Sequence, residues 1–93
     1  MYKSIKKRDG RTVKFDRKKI EKAIEKAGLE TGEFDKKTAK ELTEKVLTVL
    51  EARNQKQLPD VEDIQDIVED ILIDSKFKKT AKAYIIYRDQ HKK

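Results

Sequence analysis

The sequence predicts a mainly helical α+β domain, an N-terminal β-hairpin followed by four helices in a small bundle. Three observations carry this. The stretch "IKKRDGRTVKFD" sets Asp9-Gly10 between two short runs of strand character. Four later segments place apolar residues at three- and four-residue spacing, three of them opened by an aspartate. Only three Gly and one Pro punctuate the 93 residues, which leaves little room for long loops. That length makes one domain, residues 1–93, with a single modest core. Charged residues reach 45%, yet the apolar ones are grouped periodically, as in a solvated globule rather than a disordered chain.

Tyr2–Lys7 and Arg11–Phe15 read as the two strands. A two-residue Asp9-Gly10 loop would set Val13 opposite Lys6. A three-residue loop, Arg8-Asp9-Gly10 with Gly10 left-handed, sets Val13 opposite Ile5 and puts Lys7 and Phe15 on one face. The second register pairs the apolar residues and is preferred; it turns Lys7 inward and Lys14 to the opposite face. Asp16 then caps a first helix with Ile20, Ala23, Ile24 and Ala27 on one side and Gly28 as its stop. Asp35 caps a second, through Ala39, Leu42, Val46 and Val49 or Leu50. "RNQKQLPD" breaks that helix, and Gln57-Leu58 can add a short third strand before Pro59. Asp60 caps a third through Val61, Ile64, Ile67/Val68 and Ile71/Leu72, with its acids on the other face. A fourth runs from about Phe77 to Gln90, with Ala81, Tyr84, Ile85 and Arg88 in register.

The net charge of +6 conceals a pattern. Residues 1–20 carry nine Lys/Arg against two Asp, whereas residues 60–74 carry seven Asp/Glu and no base. Residues 76–93 return to seven bases against Asp89. Basic ends that meet in space would make a concentrated anion site. Catalysis is not expected, given what is missing. There is no Cys for a thiolate or a disulfide, and no Gly-rich phosphate loop. The one His, His91, is third from the end and reads as an exposed terminal side chain. No apolar run approaches a membrane span and no signal peptide follows Met1, so an intracellular, cytoplasmic location is expected. What remains is a binding site built from cations, a turn and a few aromatic rings.

Three segments in order, "KRDGRTVKFDRKKIEKAI" at 7–24, "VEDIQDIVEDIL" at 61–72 and "AKAYIIYR" at 81–88, resemble the signature blocks of the ATP-cone domain. That domain occurs at the N-terminus of many ribonucleotide reductases and in the repressor of their genes. The resemblance covers nearly the whole chain and implies a four-helix bundle capped by a small β-sheet. It also implies a regulatory site for ATP or dATP, with Mg2+.

In the family the Lys-Arg before the turn contacts the nucleotide phosphates; here these are Lys7 and Arg8. Arg can grip two phosphate oxygens while Lys supplies a mobile point charge, and the two repel until an anion arrives. A solvated basic hairpin is the plainer alternative. By the same resemblance Ile5 packs on the base, and Asp16 accepts from the adenine amine in addition to capping its helix. Lys19 and Ile20 open the first helix beside the nucleotide, though Ile20 also suits the core. Val61 and Gln65 fall where relatives place sugar contacts. Several relatives have His where this chain has Gln65, which implies weak separation of ATP from dATP. Tyr84 and Arg88 can offer a ring and a cation, while Tyr87 is assigned to packing.

The implied function is the allosteric activity sensor of a ribonucleotide reductase, without catalytic residues of its own. It implies a catalytic domain or subunit as partner, with the parent chain continuing past "RDQHKK", and allows nucleotide-dependent oligomerisation. No membrane partner is expected. The alternative is a nucleotide-responsive nucleic-acid-binding or transcriptional-regulator module. In the repressor relatives a zinc-binding segment contacts the DNA, and no Cys pair is present here to form one.

Overall fold

The computed structural model describes residues 4–7, 9–53 and 59–90. Strands β1 (Ser4–Lys6) and β2 (Thr12–Lys14) pair antiparallel with Ile5 opposite Val13. This is the three-residue-loop register. Lys7 N–H donates to Arg11 C=O at 2.7 Å, Gly10 N–H donates to Lys7 C=O at 2.9 Å, and Gly10 takes φ +91°. A side chain at that φ would be strained, so glycine allows the turn to close. The Asp9 carboxylate braces it by accepting from Arg11 N–H at 3.0 Å and Arg11 Nε at 2.7 Å. The first of these bonds is the main reason the carboxyl is held below its ordinary value.

Four helices follow: α1 (Arg17–Thr31), α2 (Lys36–Arg53), α3 (Val61–Asp74) and α4 (Lys78–Gln90). Each packs on the next, and α4 closes the ring against α1. Three aspartates start helices as expected. Asp16 Oδ1 accepts from Lys18 N–H at 3.0 Å, and Asp35 Oδ1 from Lys37 N–H at 3.1 Å. Asp60 and Asp63 form a reciprocal capping box on α3. The core is Ile24 from α1, Leu42, Val46 and Leu50 from α2, Ile64, Ile67, Val68 and Leu72 from α3, and Ala81 and Tyr84 from α4. Phe15 seals its top from the hairpin. No helix among the described residues is long and apolar enough to cross a membrane.

Two expectations are corrected, and a third falls outside the described residues. Gly28 does not stop α1, which continues to Thr31 and is capped by Gly32 at φ +74°. Gly28 is buried instead against the Phe34 ring, where a Cβ would collide with the ring carbons. Ile85 is not on the buried face of α4. It is 38% exposed, one step round the helix from Tyr84, and the inward face is Thr80, Ala81 and Tyr84. The sheet is two-stranded among the described residues. Gln57-Leu58, the proposed third strand, lies outside them. An isolated parallel bridge does pair Lys6 with Asp60, and Lys6 N–H donates to Pro59 C=O at 2.9 Å. That bridge fastens the hairpin to the start of α3.

Candidate functional site

Fastening the hairpin over the bundle leaves a cleft of about 230 Å³ beneath it. The hairpin contributes Ile5, Lys7 and Val13, and the start of α1 contributes Asp16, Lys19 and Ile20. The first turns of α3 add Val61, Ile64 and Gln65, and α4 adds Tyr84 and Tyr87. These groups are up to 82 residues apart in sequence (Ile5 to Tyr87) and meet only because α4 closes back on α1. Ile5, Lys7, Asp16, Lys19, Ile20, Val61, Gln65 and Tyr84 were all expected at the site, and the fold brings them together. Arg8 lies outside the described residues, as does His91.

The cleft is apolar and aromatic inside and cationic at its edge. Tyr84 is 5% exposed, and burial pushes its phenol above the ordinary value against the opposing effect of Arg88. Its ring stands 6.1 Å from that of Tyr87 with the planes tilted by 33°. Lys7, Lys14 and Lys19 are exposed cations on the lining, against the single carboxylate of Asp16. An object with a flat apolar body and an anionic tail fits such a surface. A second groove, of about 430 Å³, opens beneath the hairpin turn and shares Lys7 and Val61 with the cleft. Gln65 adds one unusual feature. Its Oε1 is shielded from solvent and has no hydrogen-bond donor.

Arg88 does not line the cleft. Its Nη1 donates to Asp66 Oδ1 at 2.8 Å and to Glu69 Oε2, pinning α4 to α3. Burial works against its charge, but these two carboxylates overcome that and hold the guanidinium above its ordinary value. The lining residues not expected at the site are the apolar Val13, Phe15, Ala23 and Ile64, together with Tyr87 and Lys14. Tyr87 was assigned to packing, although three residues from Tyr84 it shares that face of the helix. Lys14 was placed on the opposite face of the hairpin and yet borders the cleft. In a three-residue strand, alternation has little power over where a long lysine side chain at the rim comes to lie.

The family model of the ATP cone domain matches residues 3–93. The chain is an ATP cone domain. This cone is 42% identical over 97 aligned residues to the vitamin B12-dependent ribonucleoside-diphosphate reductase of Thermoplasma acidophilum, covering 99% of the cone and 12% of that relative. It is 38% identical to the ribonucleoside-diphosphate reductase subunit alpha of Chlamydia muridarum, over 92% of the cone and 9% of the relative. The anaerobic ribonucleoside-triphosphate reductase of Haemophilus influenzae is 35% identical over 88% of the cone and 12% of its own length. The cone therefore spans only 9–12% of these three reductases. As a member of this family it is a regulatory nucleotide-binding domain rather than a catalytic one.

Proposed function

We propose that this cone is the allosteric activity sensor of a ribonucleotide reductase and binds ATP or dATP in the cleft under the hairpin. The observation that carries the reading is the cationic edge of Lys7, Lys14 and Lys19 beside a pocket walled by Ile5, Ile20 and Tyr84. A triphosphate concentrates charge that such cations can neutralise, while the purine needs an apolar or aromatic surface. Lys7, with its sequence neighbour Arg8, takes the phosphates. Ile5 and Ile20 pack on the base, and Asp16 accepts from the adenine amine while it caps α1. Val61 and Gln65 face the sugar. Arg88 is left to hold α3 against α4 behind the Tyr84 ring.

Among the described residues no three acids converge on a metal position. Mg2+ would enter with the triphosphate, whose oxygens suit it as ligands. Regulation needs a second site, which lies in the catalytic domain or subunit of the reductase. Nucleotide-dependent association with that partner is the output.

Titration calorimetry and melting with ATP, dATP, GTP and ADP, with and without Mg2+, test the site. ATP and dATP should raise the melting temperature more than GTP does at equal concentration; a ligand at a hundred times its dissociation constant adds about 2.7 kcal/mol over the free protein. Indifference to every nucleotide at millimolar concentration would overturn the reading. Equal responses to GTP would keep the phosphate site and remove the adenine contacts. Sedimentation of the intact reductase with ATP against dATP tests the output, and identical profiles would remove the sensing role.

A further inference from the structure

We propose that the groove along the seam of α1 and α4 is a docking surface for an acidic amphipathic helix of the reductase's catalytic domain or subunit. This rests on the sensor reading above and names the surface which that reading leaves open.

The first observation is the shape of the seam. A groove of about 340 Å³ lies between the two helices, and each lines it with residues at i, i+3, i+4 and i+7. Ala23, Ala27 and Ala83 leave room where larger side chains would close the helices on each other. Ile86 stands at the edge and is 58% exposed. The lining runs for two turns along each helix, about 10 Å. A third helix with apolar residues at the same spacing fits such a trough, as in helix-in-groove recognition. Position then joins this surface to the nucleotide. Ala23 and Tyr87 line the groove and the cleft alike, so both occupants meet the Tyr87 ring. Whatever ATP does to docking, docking must do to ATP.

The second observation is charge. Lys26 lines the groove, and Lys22, Lys79 and Lys82 each precede a lining residue by one helical turn. All four are exposed, and none forms an ion pair among the described residues. The acids on these edges are Glu30 and Asp89. Glu25 falls on the far side of α1 from Ala23 and Ala27, and Glu33, near Lys79, is engaged by Thr80. Edges of this kind favour an occupant with carboxylates on its flanks. They disfavour a second copy of this chain, because two such seams would set lysine against lysine. The acidic α3 of a second copy offers no ridge either. Its apolar face is in the core, and Asp66, Glu69 and Asp70 already face Arg88 and Arg53. Nucleic acid is disfavoured too, since contacts to phosphates make no use of an exposed isoleucine beside an alanine-lined trough.

Photo-crosslinking in the intact reductase tests this, with benzoylphenylalanine in place of Ile86 and, as a control, in place of Lys45, exposed on α2. Mass spectrometry should find position 86 joined to an acidic helical segment of the catalytic domain or subunit, and position 45 not. Lys22→Glu with Lys26→Glu should lower the yield about tenfold. Should that pair fail to fold, Lys79→Glu with Lys82→Glu tests the other edge. Adding ATP should change the yield about fivefold, in either direction. A crosslink to another cone, or to a segment without acids, would overturn the proposal. So would equal crosslinking from position 45, or a yield that ignores both charge reversals and ATP. Duplex DNA that binds the wild type and Ile86→Lys alike, but not the glutamate variants, would assign the face to phosphates instead. Calorimetry with ATP separates the two readings. ATP binding without the crosslink removes only this inference; the crosslink without nucleotide binding keeps the docking surface and removes the sensor.

Discussion

Glu33 Oε1 accepts from both the backbone N–H of Thr80, at 2.6 Å, and its hydroxyl, at 2.7 Å, across 47 residues of sequence. The loop after α1 thus supplies the capping carboxylate for α4, whose first N–H groups have no partner inside the helix. Thr31 Oγ1 joins the Thr80 hydroxyl at 2.8 Å, so the end of α1 and the start of α4 share one network. The hydrogen bond from Thr80 is the main cause that holds the Glu33 carboxyl below its ordinary value of 4.5.

A depressed carboxylate stabilises the fold above its unfolded value and loses that effect as pH falls through the folded one. Glu33→Gln should therefore melt below the wild type at neutral pH. The gap should narrow as pH drops below 4.5 and close in stronger acid. Thermal melts across that range check it, and a gap independent of pH would mean that the carboxylate charge is irrelevant to the cap.

Gly28 supplies a second test. In an ordinary helix interior Gly→Ala stabilises, by about 1 kcal/mol. Here the Cβ would run into the Phe34 ring, which is itself stacked edge-on against Phe77 at 4.8 Å between centroids. Gly28→Ala should therefore lower stability by about 1–3 kcal/mol in urea denaturation. A stabilised variant would show that the ring can step aside.

Lys7 is exposed, so Lys7→Ala should shift stability by less than about 0.5 kcal/mol. Its effect on ATP should be far larger, since a charge-assisted hydrogen bond to phosphate contributes roughly 1.5–3 kcal/mol. Adenosine, which has no phosphate, should be nearly unaffected. Lys14 borders the cleft and is no control, so Lys40, exposed on α2, takes that place. Calorimetry that finds Lys40→Ala as harmful as Lys7→Ala would reduce the site to a diffuse basic surface.

Arg88 should behave in the opposite way. Its side chain is 17% exposed, and that of its partner Glu69 is 20% exposed. Arg88→Met leaves Glu69 facing an apolar neighbour and should cost about 1.5–3 kcal/mol of stability. ATP affinity, measured well below the melting temperature, should change little. A selective loss of binding without a loss of stability would return Arg88 to the nucleotide.

The residues that act over short distances were legible from the sequence alone. The pairing of Ile5 with Val13, the left-handed Gly10 and the caps Asp16, Asp35 and Asp60 depend on neighbours within a few positions, so spacing and side-chain chemistry decide them. Most of the cleft was legible too, because the resemblance carried positions that share one surface.

What the tertiary structure decided depends on groups brought together from far along the chain. A glycine can end a helix or admit a ring, and only the place of Phe34 sets Gly28 to the second task and leaves Gly32 the first. Arg88 can face a phosphate or a carboxylate, and the approach of α3 offers it Asp66 and Glu69. Glu33 and Thr80 meet, and Gln65 is left without a donor, for the same reason. Hydrogen-bond satisfaction is a property of the assembled interior, and no local pattern in the sequence encodes it.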